Sequence, residues 1–300
     1  MKNIIITLMM FFWIWGCLSK TGSKSIQVNT EELNEKAPLP QGAIPIEWKE
    51  EGVFYDLILF DSIKVKVIID SGIGDFFVDS AYIANHKIGI SMRNTQGDIV
   101  TIESFFAGNM RIYFSDVDRN TASPLLENLP IWVADLKKMG ISTEESGVVG
   151  LFPLSALAKK KIIEINLKDQ YILPLDSVNE EGYIKIPLTL GSVIPHVSLN
   201  LRFEKEGVTY IIDGVFLVDY GFGQSIGLQV KKMDNTIYTI NKQRRDTVTM
   251  QFNDIMLEHI PISIERLQDR LAGVLGIQFL ARFNVIIDYK GKYLYLKSNQ

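Results

Sequence analysis

The feature that most constrains the fold of this chain is a set of five short patterns that occurs twice, in the same order. The first pattern is Ile44-Pro45 in one half and Ile194-Pro195 in the other. Asp70 follows Pro45 by 25 residues, and Asp219 follows Pro195 by 24. The other patterns, each with its counterpart, are Ile69-Asp70-Ser71-Gly72 with Val218-Asp219-Tyr220-Gly221, Leu126 to Ile131 with Leu257 to Ile262, Gly147-Val148-Val149-Gly150 with Gly273-Val274-Leu275-Gly276, and Ile162 to Leu173 with Val285 to Leu296. Such recurrence predicts two copies of one structural unit.

The local patterns predict mostly strands. Ile63 to Ile69 alternates apolar residues with lysines, the period of a half-exposed strand. Tyr210 to Val218 is rich in β-branched and aromatic residues, and Asp213-Gly214 within it predicts a hairpin turn. Short helices are predicted within Pro153 to Lys161, Ile277 to Phe283 and Asp79 to His86. The predicted fold is therefore mainly β, in two related lobes at residues 43–175 and 183–300.

The N-terminal segment has the pattern of a secretion signal. Lys2 precedes an almost wholly apolar run of 12 residues, Ile4 to Trp15. As a helix this run would span roughly 18 Å, too short for a hydrocarbon core of roughly 30 Å. Ile14-Trp15-Gly16-Cys17 resembles a bacterial lipobox, whose cysteine is acylated. We therefore expect a signal peptide at 1–17, lipid attachment at Cys17 and a flexible tether at 18–42. An ordinary secretory signal with an incidental cysteine is the alternative.

Composition excludes several classes of site and partner. The chain has 300 residues, one cysteine and a formal net charge of -4. One cysteine excludes an intramolecular disulfide framework and multi-cysteine metal sites. The absence of a long basic run argues against a nucleic-acid partner. The three histidines have no ligand spacing, and Gly72-Ile73-Gly74 lacks the third glycine of a dinucleotide loop. We therefore expect neither metal nor cofactor.

The paired patterns resemble the aspartic-protease family, over roughly residues 44–296. In that family each lobe carries Asp-Thr/Ser-Gly at a strand end and, later, two apolar residues followed by glycine. Asp70-Ser71-Gly72 with Val148-Val149-Gly150 fits the first lobe, and Asp219-Tyr220-Gly221 with Val274-Leu275-Gly276 fits the second except at Tyr220. The resemblance implies two retropepsin-like β-barrel lobes with a cleft between them.

The resemblance also implies a reaction. Two close carboxylates cannot both ionise easily, so Asp70 and Asp219 would share one proton and act as general base and general acid on a water. Ser71, Gly72, Tyr220 and Gly221 would shape the site. The implied protein is a lipid-anchored endopeptidase of the bacterial cell envelope that acts on extracytoplasmic peptides or proteins.

Tyr220 is the departure from the family pattern. The short hydroxyl that the family has at this position hydrogen-bonds across to the opposite lobe, and a phenol cannot copy that bond. Tyr220 would have to point elsewhere or push the two loops apart, and a displacement of about 1 Å can cost about 10²-fold in rate. A non-hydrolytic relative that binds peptides or a partner protein is therefore the alternative function.

Overall fold

The computed structural model describes residues 38–49, 52–59, 63–85, 103–105, 111–114, 126–127, 131–138, 141, 147–157, 162–191, 193–205, 207–229, 246–252, 255–265 and 267–299. The signal peptide, Cys17 and most of the tether lie outside these residues. No helix among them is long and apolar enough to cross a bilayer.

Strands dominate the described residues, as the sequence predicts. The strands are β1 Ile44–Pro45, β2 Glu47–Lys49, β3 Gly52–Leu59, β4 Ile63–Asp70, β5 Phe76–Asp79, β6 Glu103–Phe105, β7 Arg111–Phe114, β8 Leu126–Glu127, β9 Ile131–Ala134, β10 Val148–Pro153, β11 Ile162–Asn166, β12 Tyr171–Leu175, β13 Ile184–Gly191, β14 Ile194–Lys205, β15 Val208–Asp219, β16 Ile226–Gln229, β17 Asp246–Phe252, β18 Ile255–Glu265, β19 Leu271–Gly276, β20 Phe283–Asp288 and β21 Tyr293–Ser298. The helices are α1 Ser80–Asn85, α2 Leu154–Leu157 and α3 Ile277–Leu280, each inside a segment predicted to be helical.

Each lobe is built on its own sheet. In the first lobe the strand order is β6-β9-β5-β10-β4-β3-β7-β8, with β2 beside β3. In the second lobe, β14-β15-β19-β16-β18-β17 closes into a barrel because β17 also pairs with β14. A mainly β fold of two β lobes is therefore confirmed.

The remaining strands of the second lobe's 12-stranded sheet join the lobes. The order β1-β12-β11-β20-β21-β13 brings strands from both halves into one sheet, and β11 of the first half pairs directly with β20 of the second. The hairpins β11–β12 and β20–β21 have matching four-residue turns, in which Gln170 and Lys292 adopt positive φ angles of 59° and 61°. This confirms the predicted repeat at the end of each half.

The strand pairings correct the register of the repeat at its first pattern. Ile44 lies opposite Ile172 on β12, and the residue in the same place in the second half is Ile186, opposite Leu294 on β21. Ile194 instead pairs with Gly191 within one hairpin. The counterpart of Ile44-Pro45 is therefore Ile186-Pro187, and the match to Ile194-Pro195 is wrong.

The predicted match between the Gly-x-x-Gly patterns of the two halves is also out of register. Both segments form the strand parallel to the aspartate strand, but Gly150 lies opposite Val67 whereas Gly273 lies opposite Phe216, each three positions before the aspartate. Gly150 is therefore the counterpart of Gly273. The predicted match of Gly150 with Gly276 is wrong by three residues, and the counterpart of Gly276 is Pro153.

Asp213-Gly214 does not form the predicted turn. β15 continues through both residues, and the hairpin reverses between Lys205 and Val208, where Gly207 has a φ of 78°. Gly214 has a φ of 151°, and a Cβ on it would lie 2.8 Å from the Cβ of Ala272. This glycine permits close approach between β15 and β19 rather than a reversal of the chain.

The two lobes share one apolar core. Its main cluster contains buried residues from both aspartate strands and from the joining sheet, for example Ile69, Val218 and Val285. The joined core fixes the ends of β4 and β15 relative to each other, because close-packed interiors resist displacement.

Candidate active site

Asp70 and Asp219 end the central strands β4 and β15. β4 lies between β3 and β10, and β15 lies between β14 and β19. Asp70 is level with Pro153 at the end of β10, and Asp219 is level with Gly276 at the end of β19. The parallel neighbour therefore holds each strand to its last residue, whereas the antiparallel pairing ends at Ile69 and at Leu217.

The two carboxyl groups meet at the junction of the lobes. Asp70 is only 6% exposed and Asp219 only 5% exposed. Gly72, whose N–H donates to Asp70, also lies against the carboxylate of Asp219, so the two carboxyl groups are neighbours. Such a pair needs a proton between its members, because two neighbouring anions in a buried place repel strongly.

Backbone N–H groups hold each carboxylate. Gly72 donates to Oδ1 of Asp70 at 2.6 Å, and Gly221 donates to Oδ1 of Asp219 at 2.8 Å. The N–H of Ile73 also lowers the pKa of Asp70, and the N–H of Phe222 donates to the main-chain carbonyl of Asp219 at 3.3 Å. These donors belong to the chain itself.

Each glycine also contacts the carboxylate of the opposite lobe. A Cβ on Gly72 would lie 2.7 Å from Oδ2 of Asp219, and a Cβ on Gly221 would overlap the carboxylate of Asp70. The N–H of Gly72 bonds to Asp219 as well. Glycine is required here because only a residue without a side chain lets the two loops meet.

Burial dominates the electrostatics of the pair. It raises the pKa of Asp70 well above its usual range, and the neighbouring Asp219 raises that pKa further. Burial also raises the pKa of Asp219, although the hydrogen bond from the N–H of Gly221 lowers it in part. The pair therefore keeps a proton to higher pH than free carboxyl groups would.

Ser71 ties the two loops together. Its hydroxyl donates to the carbonyl oxygen of Val218 at 2.8 Å and accepts from the N–H of Tyr220 at 2.9 Å. Both bonds cross between the lobes and are buried. This side chain therefore holds the main chain on both sides of Asp219, since Val218 precedes it and Tyr220 follows it.

Tyr220 points away from the carboxylates. Its side chain is 1% exposed and belongs to the main core cluster. Its hydroxyl has no hydrogen-bond partner among the described residues. The ring therefore does not fill the space between Asp70 and Asp219, and the two loops remain in contact.

Hydrogen bonds from the start of α3 support the loop that follows Asp219. Ile277 donates its N–H to the carbonyl of Phe222 at 3.0 Å, and Gln278 donates its side-chain amide to the carbonyl of Gly223 at 3.0 Å. Sequence reasoning missed Gln278, because its role depends on a contact across 55 positions. It also assigned no role to Ile73 and Phe222, buried residues that directly follow the two Asp-x-Gly patterns.

Ser71→Ala is expected to weaken both stability and the geometry of the pair. The alanine leaves the Val218 carbonyl and the Tyr220 N–H buried without a partner, at about 1–3 kcal/mol for each group. We expect the free energy of unfolding, measured in urea, to fall by roughly 2–6 kcal/mol on that basis. Ser71→Thr keeps the hydroxyl and is the matched control. Equal stability of the alanine and threonine variants would contradict the bridging role.

The structure thus brings together Asp70, Ser71, Gly72, Asp219 and Gly221 with the backbone, but not the ring, of Tyr220. Among the described residues, no three His, Cys, Asp or Glu side chains converge as metal ligands do.

Solved structures share this fold. No protein-family model matches the sequence, and no curated protein matches it. An aspartic proteinase from Irpex lacteus aligns with a TM-score of 0.53 and 9% sequence identity, covering 86% of this chain and 97% of that one. Basic 7S globulin from soybean aligns with a TM-score of 0.52 and 9% identity, covering 85% and 94%. At such low identity the likeness establishes the fold alone: this chain has the aspartic-proteinase fold.

Proposed function

We propose that this protein is an aspartic endopeptidase that hydrolyses peptides with a water activated by Asp70 and Asp219. The observation that carries the proposal is the meeting of two buried, neighbouring carboxyl groups at the junction of the lobes. The position of Tyr220 supports it, because the ring lies in the core and leaves the carboxylates in contact. Acylation of Cys17, as the sequence predicts, would place the substrates outside the cytoplasm.

The chemistry follows from one shared proton. The ionised carboxylate takes a proton from water while the water oxygen attacks the carbonyl carbon of the peptide bond. The protonated carboxyl gives its proton to the carbonyl oxygen, which forms a neutral gem-diol. Transfer of a proton from the dyad to the amide nitrogen then lets the C–N bond break, and the diol gives up a proton as it becomes a carboxyl group. The dyad ends with the single proton it began with.

Cleavage of a diverse peptide library tests the proposal. The purified full-length protein would be incubated between pH 3 and 7, and products would be sequenced by mass spectrometry. We expect cleavage that requires both aspartates. Peptide binding without cleavage, retained in Asp70→Asn/Asp219→Asn, would instead support the alternative of a binding protein.

The dyad is expected to make the protein less stable as pH rises. Both carboxyl groups have a folded-state pKa above the ordinary 3.8. Above pH 3.8 the unfolded chain therefore releases protons that the folded protein retains, so the free energy of unfolding falls until pH passes the raised values. Every tenfold difference in proton affinity between the folded and unfolded states corresponds to about 1.4 kcal/mol.

Urea unfolding at pH 4, 5, 6 and 7 measures this loss. Asp70→Asn/Asp219→Asn is expected to flatten the dependence on pH, because asparagine does not titrate. Asp213→Asn removes an exposed aspartate on β15 and should leave the dependence unchanged. An identical slope in the double variant and the unmodified protein would show that the pair does not titrate as proposed.

A further inference from the structure

Tyr220 breaks the symmetry of the two loops. The hydroxyl of Ser71 makes both cross-lobe bonds described above, to the carbonyl before Asp219 and from the N–H after it. A return bond from position 220 would need a hydroxyl close to the backbone. The hydroxyl of Tyr220 stands at the far end of a ring that is buried in the core. The second loop is therefore held by a hydroxyl that it does not supply.

The ring occupies a place where movement is restricted. It is among the largest side chains with less than 2% exposure, and its cluster contains residues from both lobes, such as Ile69 and Leu275. Close packing of this kind fixes a side chain and, through its Cα, the adjoining peptide. That peptide joins Tyr220 to Asp219.

We propose that the ring of Tyr220 is a positioning element for Asp219. Its burial in the shared core fixes the second loop, which has no hydroxyl of its own to bond to the first. The hydroxyl of Tyr220 takes no part, since it has no hydrogen-bond partner among the described residues. The inference rests on the proposed function for its kinetic readout, but not for its titration readout.

The residue that the family has at position 220 is expected to lower activity in this protein. Threonine at position 220 would match the family, yet it would leave the space of a phenol ring empty and free the loop that carries Asp219. A displacement of about 1 Å at a catalytic group costs about 10²-fold in rate. Restoring the family residue is therefore expected to reduce activity.

Three substitutions separate the ring from the hydroxyl: Tyr220→Phe, Tyr220→Leu and Tyr220→Thr. Phe203→Leu is the matched control, because Phe203 is an equally buried aromatic ring of the same cluster. It lies opposite Tyr210 near the turn of the β14–β15 hairpin, away from Asp219 at the end of β15. For each full-length variant we would measure kcat, KM and the dependence of urea unfolding on pH, which follows titration of the dyad without substrate.

We expect Tyr220→Phe to keep kcat within about threefold of the unmodified protein. Tyr220→Leu and Tyr220→Thr are expected to lower kcat per folded molecule by about 10- to 100-fold, with a smaller change in KM. They should also reduce the loss of stability with rising pH, because carboxyl groups that move apart are less coupled. Phe203→Leu should lower stability alone.

Several results would overturn the inference. A threonine variant as active as the unmodified protein would do so, and so would a phenylalanine variant as impaired as the leucine one. Equal kinetic and titration effects in Phe203→Leu would show general loosening of the core. If the threonine variant does not fold, comparison of Tyr220→Phe with Tyr220→Leu still tests whether the ring positions Asp219. If the unmodified protein cleaves no peptide, the proposed function fails, and the pH dependence of unfolding still tests the role of the ring.

Discussion

Asp70→Asn and Asp219→Asn are each expected to reduce peptide cleavage by roughly 10⁴-fold, the upper range for loss of general acid–base catalysis. Either change leaves one carboxyl group, which cannot serve as base and acid in the same step. Asparagine has nearly the same shape as protonated aspartic acid, so the buried site should still form. The measurement is kcat/KM per folded molecule for one peptide taken from the library.

The variants should not lose activity through unfolding. Since burial raises the pKa of both carboxyl groups, replacing either one should leave the free energy of unfolding at pH 7 equal or higher. Asp213→Asn is the control and should retain full activity. Cleavage within tenfold of the unmodified protein in either single variant would contradict the paired-aspartate mechanism.

Gly72→Ala and Gly221→Ala are expected to have the next largest effect. The new Cβ at position 72 would lie 2.7 Å from Oδ2 of Asp219, and the one at position 221 would overlap the carboxylate of Asp70. The loops must separate to admit either methyl group. We expect kcat to fall by about 10²-fold and the free energy of unfolding to fall by about 1–3 kcal/mol.

Gly52→Ala provides the matched control for these glycines. Its Cβ would lie 3.5 Å from Cγ2 of Ile68, an ordinary contact, and Gly52 begins β3 beside the aspartate strand. Kinetic and urea measurements on the three variants separate a general cost of alanine from overlap with the carboxylates. Full activity in Gly221→Ala would show that the loops do not meet as closely as described.

The sequence predicted the two lobes and the two aspartates because these depend on local patterns. An aspartate followed by Ser-Gly or Tyr-Gly after an apolar run is visible in the chain itself, and so is the period of β4. Equivalences between the halves depend on strand length instead. β14 and β15 have 12 residues each, whereas β3 and β4 have eight. The nearly equal spacing from proline to aspartate therefore favoured Ile194-Pro195 over Ile186-Pro187.

Other features could not be predicted because distant strands determine them. Gly214 resembles a turn residue in sequence, and only its contact with Ala272 on β19 shows why it is glycine. The direction of the Tyr220 ring depends on core residues from both halves. The register of the glycine patterns follows from pairing with β4 and β15, and the sequence offers two glycines three positions apart in each segment.

The single serine between the loops bears on how such a chain could have arisen by gene duplication. A homodimer of first lobes would carry Ser71 in both subunits and could exchange two hydroxyl bonds across its twofold axis. A homodimer of second lobes would carry Tyr220 twice and have no such hydroxyl to exchange. The present arrangement needs one lobe of each kind. Covalent fusion guarantees that pairing, and it would have allowed the second copy to lose its hydroxyl once the first supplied both bonds.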